Sequence, residues 1–362
     1  SDLYVVDIFR VSGGSRHEYT LQGDANHDSF FETELLLEDY GPYLLPPGIN
    51  VVEPMSYSDK GSAGDHYYAY AQVRDVKRVE VPDGRYDLTQ VTTEGESAKV
   101  KIIGFVEPGK NLLFIGRSPS LRNTRVMRND SGYKVDDFSL PKLVLRREGN
   151  NLKSTFITIM QPYLENSSSK VSLINDVEVL EVTRSQEGNV AIVISCGKIK
   201  DIILSSSLHY NKPLIVNDMI LKGKMGFIRI EHGNIKSMYL IGGTLLKKGD
   251  VELTHDGPTY GKVLATWRVV VGDKYDAIIT DTKVPDNMGG SYIVVTHPDG
   301  YTHGYRIKEI KEQGSGSAII LDMDPGFYIK NDGVSQMSFF PFTIWEGEHT
   351  FRIEGFVSRM TF

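Results

Sequence analysis

"DIFRVSGGSRHEYTLQG", residues 7–23, sets two runs of alternating apolar and polar residues on either side of Gly13-Gly14. Adjacent glycines supply the positive φ that tight turns between antiparallel strands require, so the stretch predicts a β-hairpin. Pairing outward from the turn sets Arg10 against His17, Phe9 against Glu18, Ile8 against Tyr19 and Asp7 against Thr20. Val6, Ile8, Tyr19 and Leu21 then share an apolar face, with Arg10 and His17 at its turn end. Asp7, Glu18, Thr20 and Gln22 share the opposite face around Val5 and Phe9. On this pairing His17 reads as a structural group, and the acidic face suits solvent, a cleft or a cation better than an acidic substrate.

The same grammar recurs along the chain. Short β-branched and aromatic runs such as "KVKIIGFV", "KLVLRR", "TFITIM", "NVAIVIS" and "HTFRIEGFV" alternate with the turn signals "PDGR", "EPGK", "REGNN", "EHGN" and "HPDG". No window sustains the i, i+3, i+4, i+7 pattern of an amphipathic helix. The expected fold class is therefore all-β: a large antiparallel two-sheet β-sandwich over residues 1–255, followed by a smaller β-sandwich domain over 256–362. The boundary is placed in "KKGDVELTHDGPTYGK", where Gly, Asp and Pro gather before a new strand series. Residues 53–66 and 165–170 read as exposed loops.

Of the 362 residues, 40% are hydrophobic and 24% charged, enough for a large core, and the net charge of −7 speaks against a non-specific nucleic-acid binder. The single cysteine, Cys196, sits in an alternating run and reads as a buried strand thiol, so no internal disulfide is available. No stretch approaches the ~18 apolar residues that a spanning helix needs, so no membrane insertion is expected. The chain opens on "SDLYVVDIF" with neither Met nor a basic leader, as expected of a segment of a longer protein; the missing signal peptide then says nothing about secretion.

Nucleotide fingerprints and the G-x-S-x-G elbow are absent. His297 and His303 flank "PDGYT" in an expected β-turn without a third ligand, so no metal is assigned to them. Asp65-His66 and His255-Asp256 are weaker still, and the sequons at Asn129 and Asn166 matter only in a glycosylating host. The strongest chemical feature is "FIGRSPSLRNTRVMRND", where Arg117, Arg122, Arg125 and Arg128 follow one another without an intervening acid. Guanidinium groups match carboxylate and sulfate oxygens in pairs, which makes these four the candidate substrate-binding residues for an acidic glycan; the competing reading is a solvated loop, or arginines paired with acids elsewhere in the chain. Tyr67, Tyr68 and Tyr70 could stack on sugar rings, although alternation puts Tyr68 and Tyr70 on one face and Tyr67 on the other, so core packing claims some of them.

Three stretches, "YVVDIFRVSGGSRHEYTLQG", "LVLRREGNNLKSTFITIMQPY" and "MDPGFYIKNDG...FFPF", resemble in this order the C-terminal β-sandwich region of heparinase II/III-like polysaccharide lyases of polysaccharide-degrading bacteria. The resemblance implies a catalytic (α/α) toroid upstream in the same parent protein, and an active site in the cleft between toroid and sandwich. It also implies β-elimination at a uronic acid and a periplasmic or extracellular location. In such lyases the catalytic groups come mainly from the toroid, and a further histidine and zinc ligands lie upstream of the motif that opens this chain. His17 and Tyr19 fit the family's "GG..H.Y" pattern, whereas Gln22 stands where relatives often carry a second histidine. No catalytic residue is therefore assigned here. No cofactor is expected in this chain, a divalent metal being left to the intact parent enzyme. The expected function is the β-sandwich portion of a lyase for uronic-acid polysaccharide, inactive alone, with an acidic polysaccharide as partner. The alternative is a non-catalytic carbohydrate-binding or scaffolding β-sandwich. A self-sufficient isomerase or hydrolase stands further back, because no carboxylate pair stands out.

Overall fold

The computed structural model describes residues 3–49, 70–93, 98–122, 138–164, 173–182, 188–207, 212–329, 334–339 and 342–360. The loops expected at 53–66 and 165–170, Asp65-His66, Tyr67, Tyr68, Arg125, Arg128 and the sequons at Asn129 and Asn166 lie outside the described residues. Strands dominate, and no helix reaches seven residues among those described, so the protein is all-β and antiparallel. The chain divides into two compact units, Ser1–Val177 and Glu178–Phe362.

Among the described residues, ten strands build the first unit: β1 Val5–Ser12, β2 Arg16–Gln22, β3 Ser29–Glu32, β4 Glu38–Tyr43, β5 Arg74–Glu80, β6 Arg85–Thr92, β7 Ala98–Phe105, β8 Asn111–Pro119, β9 Ser139–Glu148 and β10 Lys153–Leu164. One sheet runs β1-β10-β7-β6-β3 and the other β2-β9-β8-β5-β4. Each strand of one sheet thus leads along the chain to, or from, the strand at the same place in the other. The core between the sheets takes Tyr19, Leu113, Leu143 and Leu145 from one and Tyr86, Leu88, Ile102 and Phe156 from the other. Burying a side chain of this size contributes about 1.5–3 kcal/mol, so this layer holds the sandwich together.

The opening stretch therefore forms a corner, not a hairpin. β1 pairs with β10, from Val5 opposite Met160 to Ser12 opposite Lys153, while β2 pairs with β9, from Arg16 opposite Glu148 to Gln22 opposite Lys142. Gly13 and Gly14 do take positive φ, at 94° and 76°, but they turn the chain from one sheet into the next. The facing assignments derived from a hairpin change accordingly. Tyr19 points into the sandwich and its neighbour Glu18 away from it, so Asp7 and Glu18 share no face. "PDGR", "EPGK" and "REGNN" are likewise corners, joining β5 to β6, β7 to β8 and β9 to β10 across the two sheets.

These corners lie side by side and bond to one another. Gly13 N donates to Leu152 O at 2.7 Å, Leu152 N to Gly14 O at 3.0 Å, and Gly149 N to Ser15 O at 3.0 Å. The next pair is joined by Glu148 N to Lys110 O at 3.2 Å, and the last by Gly109 N to Pro82 O at 2.9 Å. The Glu107 carboxylate accepts from Thr155 N at 2.9 and 3.1 Å, tying the β7–β8 corner to β10. Backbone groups that hairpin loops leave to water thus find protein partners here.

A polar row crosses the core of this unit. Asp7, Thr158, Gly104 and Tyr86 occupy one register line through β1, β10, β7 and β6. The Tyr19 hydroxyl reaches over from the other sheet and donates to Asp7 Oδ2 at 2.9 Å. Tyr86 lies across Gly104, where an added Cβ would come within 1.9 Å of the ring. Burial, ahead of the neighbouring Asp7, pushes the Tyr19 phenol up to about 12, and burial raises Tyr86 as well.

Among the described residues the second unit holds two large cores and a smaller cluster of Ala277, Ala318 and Ile320. One gathers buried residues between Ala191 and Leu253, including Leu204, Leu221, Ile228, Met238 and Leu246. The other gathers residues between Val263 and Ile353, including Ile293, Tyr305, Phe327, Trp345 and Phe351. The boundary expected at 255–256 falls inside this unit, between the two cores. Here the turn signals do make hairpins. "EHGN" joins the paired strands Met225–Glu231 and Asn234–Ile241, and "HPDG" lies between the paired strands Tyr292–Thr296 and Thr302–Gln313. Cys196 is buried, in the strand Val190–Cys196.

Candidate functional site

His17 is only 5% exposed and packs at the first corner. Its Nε2 meets the Gly13 carbonyl, which can only accept, so Nε2 carries the proton and Nδ1 accepts from Ser154 Oγ at 2.8 Å. The ring pins the corner to β10 and has no nitrogen left for a substrate. Glu18 is equally occupied, taking Arg146 Nε and the Tyr70 hydroxyl, each at 2.6 Å. Arg146 in turn lies over the Phe114 ring at 4.8 Å.

The candidate arginines divide. Arg117 Nε donates to Ser139 Oγ at 2.7 Å and its Nη2 to Ser139 O at 3.2 Å, so it braces two paired strands, β8 and β9. Arg122 reaches back to the segment that follows β2: Nη1 donates to Asn26 O at 2.9 Å, Nη2 pairs with Asp28, and the guanidinium stacks on Phe138 at 4.0 Å. Both are held by groups of the chain itself. Arg125 and Arg128 lie outside the described residues.

What Arg122 holds is a short polar loop, "GDANHD", residues 23–28. Gly23 N donates to Pro141 O at 2.8 Å at one end, and Thr93 N to Asp28 O at 2.9 Å at the other. Ser120 Oγ donates to Ala25 O at 2.7 Å in between. Asp24 closes an Asx-type turn by accepting from Asn26 N at 2.7 Å, and its second oxygen lies 2.7 Å from His27 Nδ1. Burial works to raise the Asp24 carboxyl, but the bonds from Asn26 and His27 outweigh it and hold the group below its usual range.

An ionised carboxylate only accepts, so Nδ1 of His27 carries the hydrogen and Nε2 is left as the basic nitrogen. The ring is half exposed, with 50% of its side chain open to solvent. A pinned loop thus presents an imidazole of fixed tautomer, the arrangement a general base requires. Arg122 positions it, its own charge being matched by Asp28. Neither His27 nor Asp24 stands out in the sequence, because nothing in "GDANHD" says that a guanidinium almost a hundred residues away will clamp it. The Asp-x-x-His spacing was the available signal.

His297 and His303, read from sequence as a turn pair, belong to a larger group in the second unit that includes His349 and Ser335. Among the described residues no three His, Cys, Asp or Glu side chains are placed to hold a metal ion. No helix among them is long and apolar enough to cross a membrane.

Fold and site together define an all-antiparallel β-sandwich protein with an oriented surface histidine at one edge of its first unit. In comparisons with known proteins, no family model matches the chain and no curated protein matches it.

Proposed function

We propose that this chain is the β-sandwich portion of a polysaccharide lyase that cleaves a uronic-acid polymer by β-elimination, working with a toroid domain of the same parent protein. The observation that carries the reading is the pairing of two of the three stretches that resemble the heparinase II/III-like lyases. Residues 5–22 lie against residues 142–160 almost residue for residue, through the corner and into both sheets. Two of the resembling stretches, far apart in sequence, are thus one structural piece, which supports reading them together as one scaffold.

In β-elimination a base takes the proton from C5 of the uronate, the C4–O4 bond breaks, its electrons leave with O4, and an acid protonates that oxygen while C4 and C5 become doubly bonded. His27, held by Asp24, is a proton-exchanging group that the described residues of this unit offer to a bound sugar. The test is to assay the parent protein on alginate, heparin and pectin-type polymers for the ultraviolet absorbance of unsaturated uronate. His27→Gln is expected to lower kcat by about 100-fold or more with KM little changed. An unchanged kcat removes His27 from the reaction while leaving the lyase reading to the assay itself. The alternative of a non-catalytic glycan binder rests on the arginine segment, and Arg117 and Arg122 are engaged within the chain.

A further inference from the structure

Four side chains at one end of the second core form a hydrogen-bonded line. Ser335, on the strand Val334–Met337, has its Oγ 2.5 Å from Nε2 of His349, which opens the strand His349–Ile353. Nδ1 of His349 lies 2.8 Å from Nδ1 of His297, and Nε2 of His297 lies 2.6 Å from Nδ1 of His303. The line runs from full burial to solvent: Ser335 is 0%, His349 1% and His297 2% exposed, while His303 is exposed. The Trp345 indole stacks on His297 at 4.3 Å and 3° and donates to Asp299 at 2.5 Å. Phe327 meets His297 edge-on and stacks on His349.

Ser335 beside an imidazole resembles an activated nucleophile, but its burial denies it any substrate. Nor do the rings hold a metal, since nitrogens 2.6–2.8 Å apart are closer than two ligands on one ion with bonds of about 2.0–2.1 Å can be. They are hydrogen bonds, and hydrogen bonds can be counted. Three contacts need one hydrogen each. Three neutral imidazoles supply three, and the line can then run inward, with His303 donating to His297, His297 to His349 and His349 to Ser335. It can equally run outward from the Ser335 hydroxyl, leaving His303 to donate to solvent. One added proton is accommodated with all three contacts kept, whichever ring takes it. A second added proton, on His297 or His349, sets N–H against N–H at a buried contact.

We propose that this line is an acid-released latch: it locks the 297–303 hairpin to the 345–349 turn while it carries at most one added proton, and parts when a second one enters. The groups facing it are Asp299 and His303 on the hairpin, His349 and Ser335 on their strands, and Trp345 and Phe327 as uncharged walls. Asp299 alone favours the charged form, and it is already engaged by Trp345. Burial, then the neighbouring histidines, brings His297 down to about 4, and burial lowers His349 too.

The protein holds two tryptophans, so Trp267→Phe leaves Trp345 as the reporter stacked on His297. Lowering the pH of that variant is expected to shift its emission to the red in one step centred near pH 4, with the hairpin amides losing exchange protection over the same range. His297→Phe keeps an aromatic ring on Trp345 and is expected to abolish the step. Ring-nitrogen NMR of the unsubstituted protein reads the same event should that variant not fold: His297 is to remain neutral until the pH nears 4. Emission that passes pH 4 unchanged, a step that survives His297→Phe, or a His297 that charges near the ordinary histidine value of 6.5 would each overturn the latch.

Discussion

At the scale of the residue, position in the ladder decides role more than chemical type does. His17 and His27 are ten residues apart, yet one is buried against a carbonyl and a serine while the other stands half in solvent on an aspartate. The structural reading of His17 was legible because glycines and alternation point its ring toward apolar neighbours, although the neighbours are not those a hairpin would give. The fates of Arg117 and Arg122 were not, since Arg117 is taken by Ser139 on the adjacent paired strand and Arg122 by Asp28, 94 residues away. Gly104 shows how tightly one position can be drawn. A methyl group there would sit 1.9 Å from the Tyr86 ring, which has no room to move between paired strands. Gly104→Ala should cost about 3 kcal/mol as an overpacked core, read as a lowered urea midpoint with an unchanged slope.

At the scale of the element, strand against turn was legible almost throughout, whereas the partner of each strand was not. "SGGS" and "EHGN" obey the same local rules, and one makes a corner while the other makes a hairpin. The difference lies in what waits beside each strand: β1 finds β10 and β2 finds β9, nearly 140 residues away, and period-2 patterning carries no information about so distant a partner. The corners act together through their mutual bonds. Glu107→Ala removes the acceptor for Thr155 N and a partner of Arg147, and should cost about 1–2 kcal/mol, measured by urea unfolding of the first unit. Amide exchange at Thr155 should rise in the same variant, while exchange in the second unit stays as it was.

For the whole molecule, alternating runs and turn signals sufficed for the all-β class, whereas the gathering of Gly, Asp and Pro at 255–256 lies inside one compact unit. The division after Val177 has no such signal. The two units should also answer acid differently. Because His297 is held neutral in the folded protein, its folded value lies below that of the unfolded chain, and the unfolded state binds more protons in the interval between. Its contribution is therefore complete above about 6.5 and lost as the pH falls toward about 4. The loss should be on the order of 3 kcal/mol and confined to the second unit, read from urea midpoints at neutral and mildly acid pH.

We propose that the parent protein cleaves a uronate polymer by β-elimination, with the first unit as its sandwich. The most direct test is the ultraviolet absorbance of unsaturated uronate released by the parent protein from alginate, heparin and pectin-type substrates. Absorbance is expected to grow with time on at least one of them and to grow more slowly with His27→Gln. A folded parent protein that releases no unsaturated uronate from any uronic-acid polymer would contradict it.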